Sequence, residues 1–169
     1  MALNATLGAS DANSYVTRAE ADAYMANRAF VSARWAAFTA SVKEQFLITA
    51  SQMIDWYLSW KGDKAEETQS MEWPRLDAIR KSGYEILETE LPSEVKVAVY
   101  EMAISLFDAD RTEDDPLAGI GQLKVSSLMI KAGPEYPNQT TKKVIPEKVK
   151  KILKDLITSY GGIYPLLRM

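Results

Sequence analysis

The 169-residue sequence contains neither cysteine nor histidine, which excludes disulfides, thiolate nucleophiles, Cys/His zinc sites and any imidazole base. Its length fits one domain with one core, and 47% hydrophobic with 25% charged residues is the composition of a globular chain, not a disordered one. A formal net charge of −3 gives no global attraction to nucleic acid. No stretch approaches the ~18 apolar residues of a membrane span, and the start MALNATLGASDAN lacks the basic and apolar regions of a leader, so a soluble cytoplasmic product with no membrane partner is expected.

Thr17 and Glu20 have capping-box spacing, which predicts a first helix to about Arg28. Residues 32–38 (SARWAAF) suggest a short helical turn with Trp35 plugging the core. Ser41-Val42-Lys43-Glu44 repeats the capping-box pattern, and Leu47, Ala50, Met53, Ile54, Tyr57 and Leu58 then recur at three- and four-residue steps, predicting a central helix that stops near Trp60-Lys61-Gly62. Residues 62–91 read as a long connection pinned to the body by Trp73, which Pro74 holds extended.

Pro92, Ser93 and Glu94 open another helix, whose inner face is Val95, Ala98, Val99, Met102, Ala103 and Leu106. An acidic cluster from Asp108 to Asp115 ends it. The run LKVSSLMIK suggests a hairpin at about 122–132. Pro146 starts the last helix, expected to run to Tyr160 and stop at Gly161-Gly162, with Val149, Ile152, Leu153 and Leu156 inward and Lys148, Lys150, Lys151 and Lys154 on the polar face. The pattern adds up to a mainly α fold: a bundle of four or five helices with a small β-hairpin inserted before the C-terminal helix, one domain over 1–162 and an apolar tail over 163–169.

The acidic cluster matches no calcium loop, because it lacks the central glycine and the distal glutamate, and reads as a solvated helix end or a charge partner. The C-terminal lysines are the polar face of a helix, with phosphate contact as the alternative. The tryptophans default to packing, and the loop residues Trp73, Pro74 and Arg75 are the exception to test as a contact site. No P-loop, G-x-G-x-x-G, G-x-S-x-G or S-x-x-K occurs where chemistry would need it, so no catalytic residue, metal or cofactor is nominated and no enzyme is expected.

The opening Ser10-Asp11-Ala12-Asn13-Ser14-Tyr15-Val16-Thr17 and the following Ala19-Glu20-Ala21-Asp22-Ala23-Tyr24 resemble the start of a tailed-phage protein family, whose members are called DnaT-like single-stranded-DNA-binding proteins or head–tail connectors. Trp35, the helix from Glu44 to Tyr57, Trp60-Lys61-Gly62, Trp73-Pro74-Arg75, Leu91-Pro92 with Val95-Lys96, Leu123-Lys124-Val125 and Ile145-Pro146 follow in the family's order. The resemblance implies a structural head-to-tail adaptor, or head completion protein, in the virion neck: a twelvefold homo-oligomeric ring that binds the portal and a tail or neck protein and passes packaged double-stranded DNA. The alternative is a DnaT-like single-stranded-DNA-binding replication accessory. A ring needs two complementary surfaces per subunit. Asp108, Asp110, Asp114 and Asp115 against a neighbour's Lys148, Lys150, Lys151 and Lys154 would supply them, and Ile163, Tyr164, Leu166 and Leu167 would dock on the portal or a neighbour.

Overall fold

Thr17 and Glu20 cap each other as their spacing predicts: the Glu20 N–H donates to Thr17 Oγ1 at 3.2 Å and the Thr17 N–H donates to the Glu20 carboxylate at 2.8 Å. From that cap runs α1 (Arg18–Ala26), followed by α2 (Ser32–Ala37) and the long α3 (Ala40–Tyr57). Two short strands, β1 (Asp63–Lys64) and β2 (Arg75–Leu76), lie between α3 and α4 (Ser93–Ser105). A hairpin of β3 (Gln122–Val125) and β4 (Leu128–Lys131) precedes α5 (Glu147–Leu153). This computed structural model describes residues 2–108, the strand segments 122–125 and 128–131, and residues 144–158.

The side-chain contacts fix the helix directions. Phe46, early in α3, packs on Phe107, just past α4, with ring centroids 5.3 Å apart, so these two helices run antiparallel. Lys148 at the start of α5 meets Glu101 in the second half of α4 at 2.6 Å, so α5 also opposes α4. One end of the bundle therefore gathers the close of α3, the start of α4 and the close of α5. Leu47, Met53 and Ile54 of α3, Val95, Val99 and Met102 of α4, and Val149 and Leu153 of α5 are fully buried between them. Trp35 plugs the core as expected, its indole N–H donating to Asp22 at 2.7 Å. The β3–β4 pair is antiparallel from Gln122↔Lys131 to Val125↔Leu128, the hairpin the sequence suggests.

Three boundaries differ from the sequence reading. The cap of α3 is Thr39, whose hydroxyl accepts the Val42 N–H at 3.4 Å; Ser41 already lies inside the helix and so is not its cap, and Glu44 pairs with Arg18 at 3.2 Å instead. At the other end α3 stops at Tyr57, before Gly62, and Leu58 is extended. Gly62 has positive φ for a different reason: a Cβ there would run into the Leu76 carbonyl oxygen, so glycine permits the close β1–β2 approach. Helix α5 stops at Leu153, short of Tyr160, because the next residues pair with the chain leaving α3. The Lys61 N–H donates to Leu156 O at 3.0 Å, and the Thr158 N–H to Ser59 O at 2.8 Å. Among the described residues no helix is long and apolar enough to cross a membrane.

Candidate nucleic-acid interface

The loop after α3 is held by polar groups that leave water together. Tyr15 is buried, and its hydroxyl donates to Asp55, whose two oxygens lie 2.5 and 2.7 Å away. That hydroxyl also accepts the N–H groups of Glu72 at 3.1 Å and Trp73 at 3.2 Å, and the Glu72 N–H is shared with the Asp55 carboxylate at 3.1 Å. Three segments far apart in sequence thus meet at one carboxyl group. Burial pushes the Asp55 carboxyl up to about 7, against the opposing hydrogen bonds from Tyr15 and Glu72. Burial, and then the neighbouring Asp55 charge, raise the Tyr15 hydroxyl as well.

Arg75 completes the junction from inside. Its guanidinium donates to the Lys61 carbonyl at 2.8 Å, to the Gly62 carbonyl, and to the carbonyl and carboxylate of Glu72 at 3.1 and 2.6 Å. Trp73, Pro74 and Arg75 are all buried, and Trp73 packs edge-on against Trp60 at 5.7 Å. The trio pins the loop, as the sequence suggests for Trp73, and presents no face for a base to stack on.

Directly after Asp55 the chain does the opposite. Trp56 is 69% exposed and Tyr57 41%, whereas Trp35, Trp60 and Trp73 are at most 7% exposed. Tyr84, 74% exposed, projects from a turn closed by the Ile79–Glu85 bridge. Arg80 ties that turn to Glu94 in the first turn of α4, which places Tyr84 at the same end of the bundle as Trp56. Packing is therefore the wrong default for Trp56. The signal was available: nine residues on from Leu47, at ~100° per residue, lies about half a turn away from the core stripe.

Cations are sparse around these rings. Lys81 is exposed in the turn that carries Tyr84, and Lys151 and Lys154 are exposed on and just after α5, while the Lys61 ammonium caps the Asp155 carbonyl at 2.7 Å. Lys148 is paired with Glu101, and Lys150 lies 3.7 Å from Glu147. Asp63, Glu66, Glu67 and Glu85 are exposed acids on the same loop. Asp108 is exposed and bonded to Arg34 at 2.7 Å. Asp110, Asp114 and Asp115, and the tail residues Ile163, Tyr164, Leu166 and Leu167, lie outside the described residues. Among the described residues no three acids converge as a cation site.

A family described as "Putative DnaT-like ssDNA binding protein" matches residues 1–169. The chain belongs to this family. No curated protein and no solved structure matches it. The family match bears out the DnaT-like part of the resemblance and corrects the rest: the virion reading, with its head–tail connector, portal, neck and dodecamer ring, gives way because the description of the family spanning the whole chain is a DnaT-like one and names no virion role. The sequence reading ranks DNA binding second because the chain is acidic overall and shows no stacking platform. A site built on stacking needs fewer cations than one built on phosphate contacts.

Proposed function

We propose that this chain is a non-enzymatic single-stranded-DNA-binding protein that holds an unpaired strand by stacking bases on Trp56 and Tyr57. Tyr84 extends the aromatic surface, and Lys151 and Lys154 reach a small number of phosphates. The exposure of Trp56, at 69% near the end of a helix whose Leu47, Ala50, Met53 and Ile54 are buried, carries the reading. A large indole left in water is costly to keep unless something covers it, and family membership names single-stranded DNA as what such a protein binds. Each stacked base is worth about 1–3 kcal/mol and needs no particular sequence.

The acidic setting sharpens this proposal. Exposed Asp63, Glu66, Glu67 and Glu85 repel phosphates, so a duplex, which offers backbone but no free base faces, gains little here. The surface thereby favours unpaired strands, such as those opened in replication. Fluorescence anisotropy with labelled oligo(dT) and with a duplex of equal length tests it. Binding to oligo(dT) should exceed duplex binding and should fall about tenfold or more in Trp56→Ala. Equal affinity for both DNAs, or an unchanged Trp56→Ala, would overturn the proposal.

A further inference from the structure

Among the described residues the most exposed large apolar side chain is not Trp56 but Phe30, which lies in the connection between α1 and α2 and is wholly exposed. Its neighbours in the chain place it. Arg28 pairs with Glu101 in the second half of α4 at 3.0 Å, and Arg34 reaches Asp108 and the Phe107 carbonyl, just past α4, at 2.7 Å each. Phe30 therefore sits towards the close of α4, the end of the bundle opposite Trp56. Exposed Ala26, Ala29 and Ala33 flank it in the chain, and side chains so small cover little of a phenyl ring.

The charge around this ring has one sign. Residues 23–43 contain no aspartate or glutamate, but they contain Arg28, Arg34 and Lys43. Buried Glu101 accepts the Tyr24 hydroxyl at 2.8 Å and meets two cations, Arg28 on one oxygen at 3.0 Å and Lys148 on the other at 2.6 Å. One carboxylate neutralises one cation, so a positive charge is left over. Both cations reach water, with side chains 36% and 55% exposed.

We propose that Phe30 anchors a protein-docking surface, which takes an acidic segment of another protein carrying an apolar residue. An aromatic ring beside arginine is the composition of an interface hot spot, and covering such a ring is worth roughly 1.5–3 kcal/mol. The surplus positive charge beside Arg28 and Lys148 attracts acids and repels a second copy presenting the same face. A DNA strand is the poorer fit: the flanking alanines offer no ring for a second base, and the Tyr24 ring is already stacked on Tyr100 at 4.5 Å. The docking stands whether or not the Trp56 end binds DNA. With both, the chain holds an unpaired strand at one end and a protein at the other.

Amide chemical shifts of the isotope-labelled full chain read the contact residue by residue. The probes are a short peptide alternating aspartate with leucine, one alternating aspartate with serine, one alternating lysine with leucine, and oligo(dT). The aspartate–leucine peptide should move the amides of residues 28–34 and of Lys148, and the other two peptides should leave them in place. Phe30→Ser should weaken that binding about tenfold or more, and because the ring is wholly exposed the variant should keep the fold and the oligo(dT) binding of the parent. No shifts in this region, or equal shifts with the lysine–leucine peptide, would overturn the proposal. So would shifts there that follow the concentration of the chain alone, which would make the face an interface between copies, or shifts there with oligo(dT), which would make it a second DNA contact. Failure of oligo(dT) to bind anywhere sinks the DNA-binding reading and leaves the peptide result to decide the docking.

Discussion

Trp73 and Trp56 stand on the two sides of one hydrogen-bonded junction, and the fold treats them oppositely. Trp73 follows the Glu72 N–H that bonds to Asp55, and it is fully buried; Trp56 follows Asp55 itself and is 69% exposed. The difference lies in what each serves. Trp73 fills the space between the loop and α3, where its ring meets Trp60 edge-on. Trp56, nine residues on from Leu47, lies about half a turn from the stripe of α3 that faces the core. One tryptophan sets the position of the loop, and the other spends that rigidity as an external surface.

The strongest way to break the contrast is to truncate both rings. Trp73→Ala should cost about 3–5 kcal/mol of stability, the range for emptying a packed aromatic site. Trp56→Ala should stay within about 0.5 kcal/mol of the parent, as exposed substitutions do. Urea denaturation of the two variants checks this. Equal losses would mean that Trp56 is covered and that the two sites do not differ in role.

The junction between them offers the next test. Tyr15→Phe removes the acceptor of the Trp73 N–H and one partner of the Glu72 N–H and the Asp55 carboxylate. Stranded groups of this kind cost about 1–3 kcal/mol. Because the folded-state Asp55 carboxyl is raised to about 7 from an ordinary 3.8, the native chain holds this proton more tightly than the unfolded one. The Asp55 contribution is therefore most favourable below the ordinary carboxylate range, and it is lost as pH rises through about 7. Urea midpoints from pH 5 to 9 should decline for the parent and decline less for Asp55→Asn. A parent midpoint that rises over that interval would show that Tyr15 and the Glu72 N–H outweigh burial.

How much of this was legible depended on whether a residue's role was local. The α1 cap, the inward stripe of α4 and the β3–β4 hairpin follow from spacing alone, and they stand where the sequence puts them. The ends of α3 and α5 were not legible, since both are set by residues 59–61 pairing with 156–158, a contact across about a hundred positions that no short window contains. The same holds for the site. Tyr15 and Asp55 meet 40 residues apart, and neither was a candidate. The Trp73 pin was foreseen from its flanking proline, whereas Trp56 was hidden by the habit of counting every helical tryptophan as core.

Salt provides the smallest and most discriminating effect. If stacking on Trp56 and Tyr57 supplies most of the affinity, few counterions are released, and the log of affinity for oligo(dT) should fall with log salt at a slope near −1.4, the value for two phosphates at ~0.7 each on a single strand. Replacing Lys151 and then Lys154 with Ala should flatten that slope by about 0.7 each time while leaving Trp56-dependent binding in place. A steep slope, on the order of −4 or beyond, would require at least six phosphate contacts. Lys151 and Lys154 could not provide them alone, and other cations, such as the exposed Lys81 or the lysines at 142 and 143 outside the described residues, would have to join the binding surface. Measured in parallel, Trp56→Ala should lower the affinity at every salt concentration without changing the slope, because removing a ring frees no counterions. A parallel shift from the ring and a slope change from the lysines would therefore assign the two kinds of contact to separate residues.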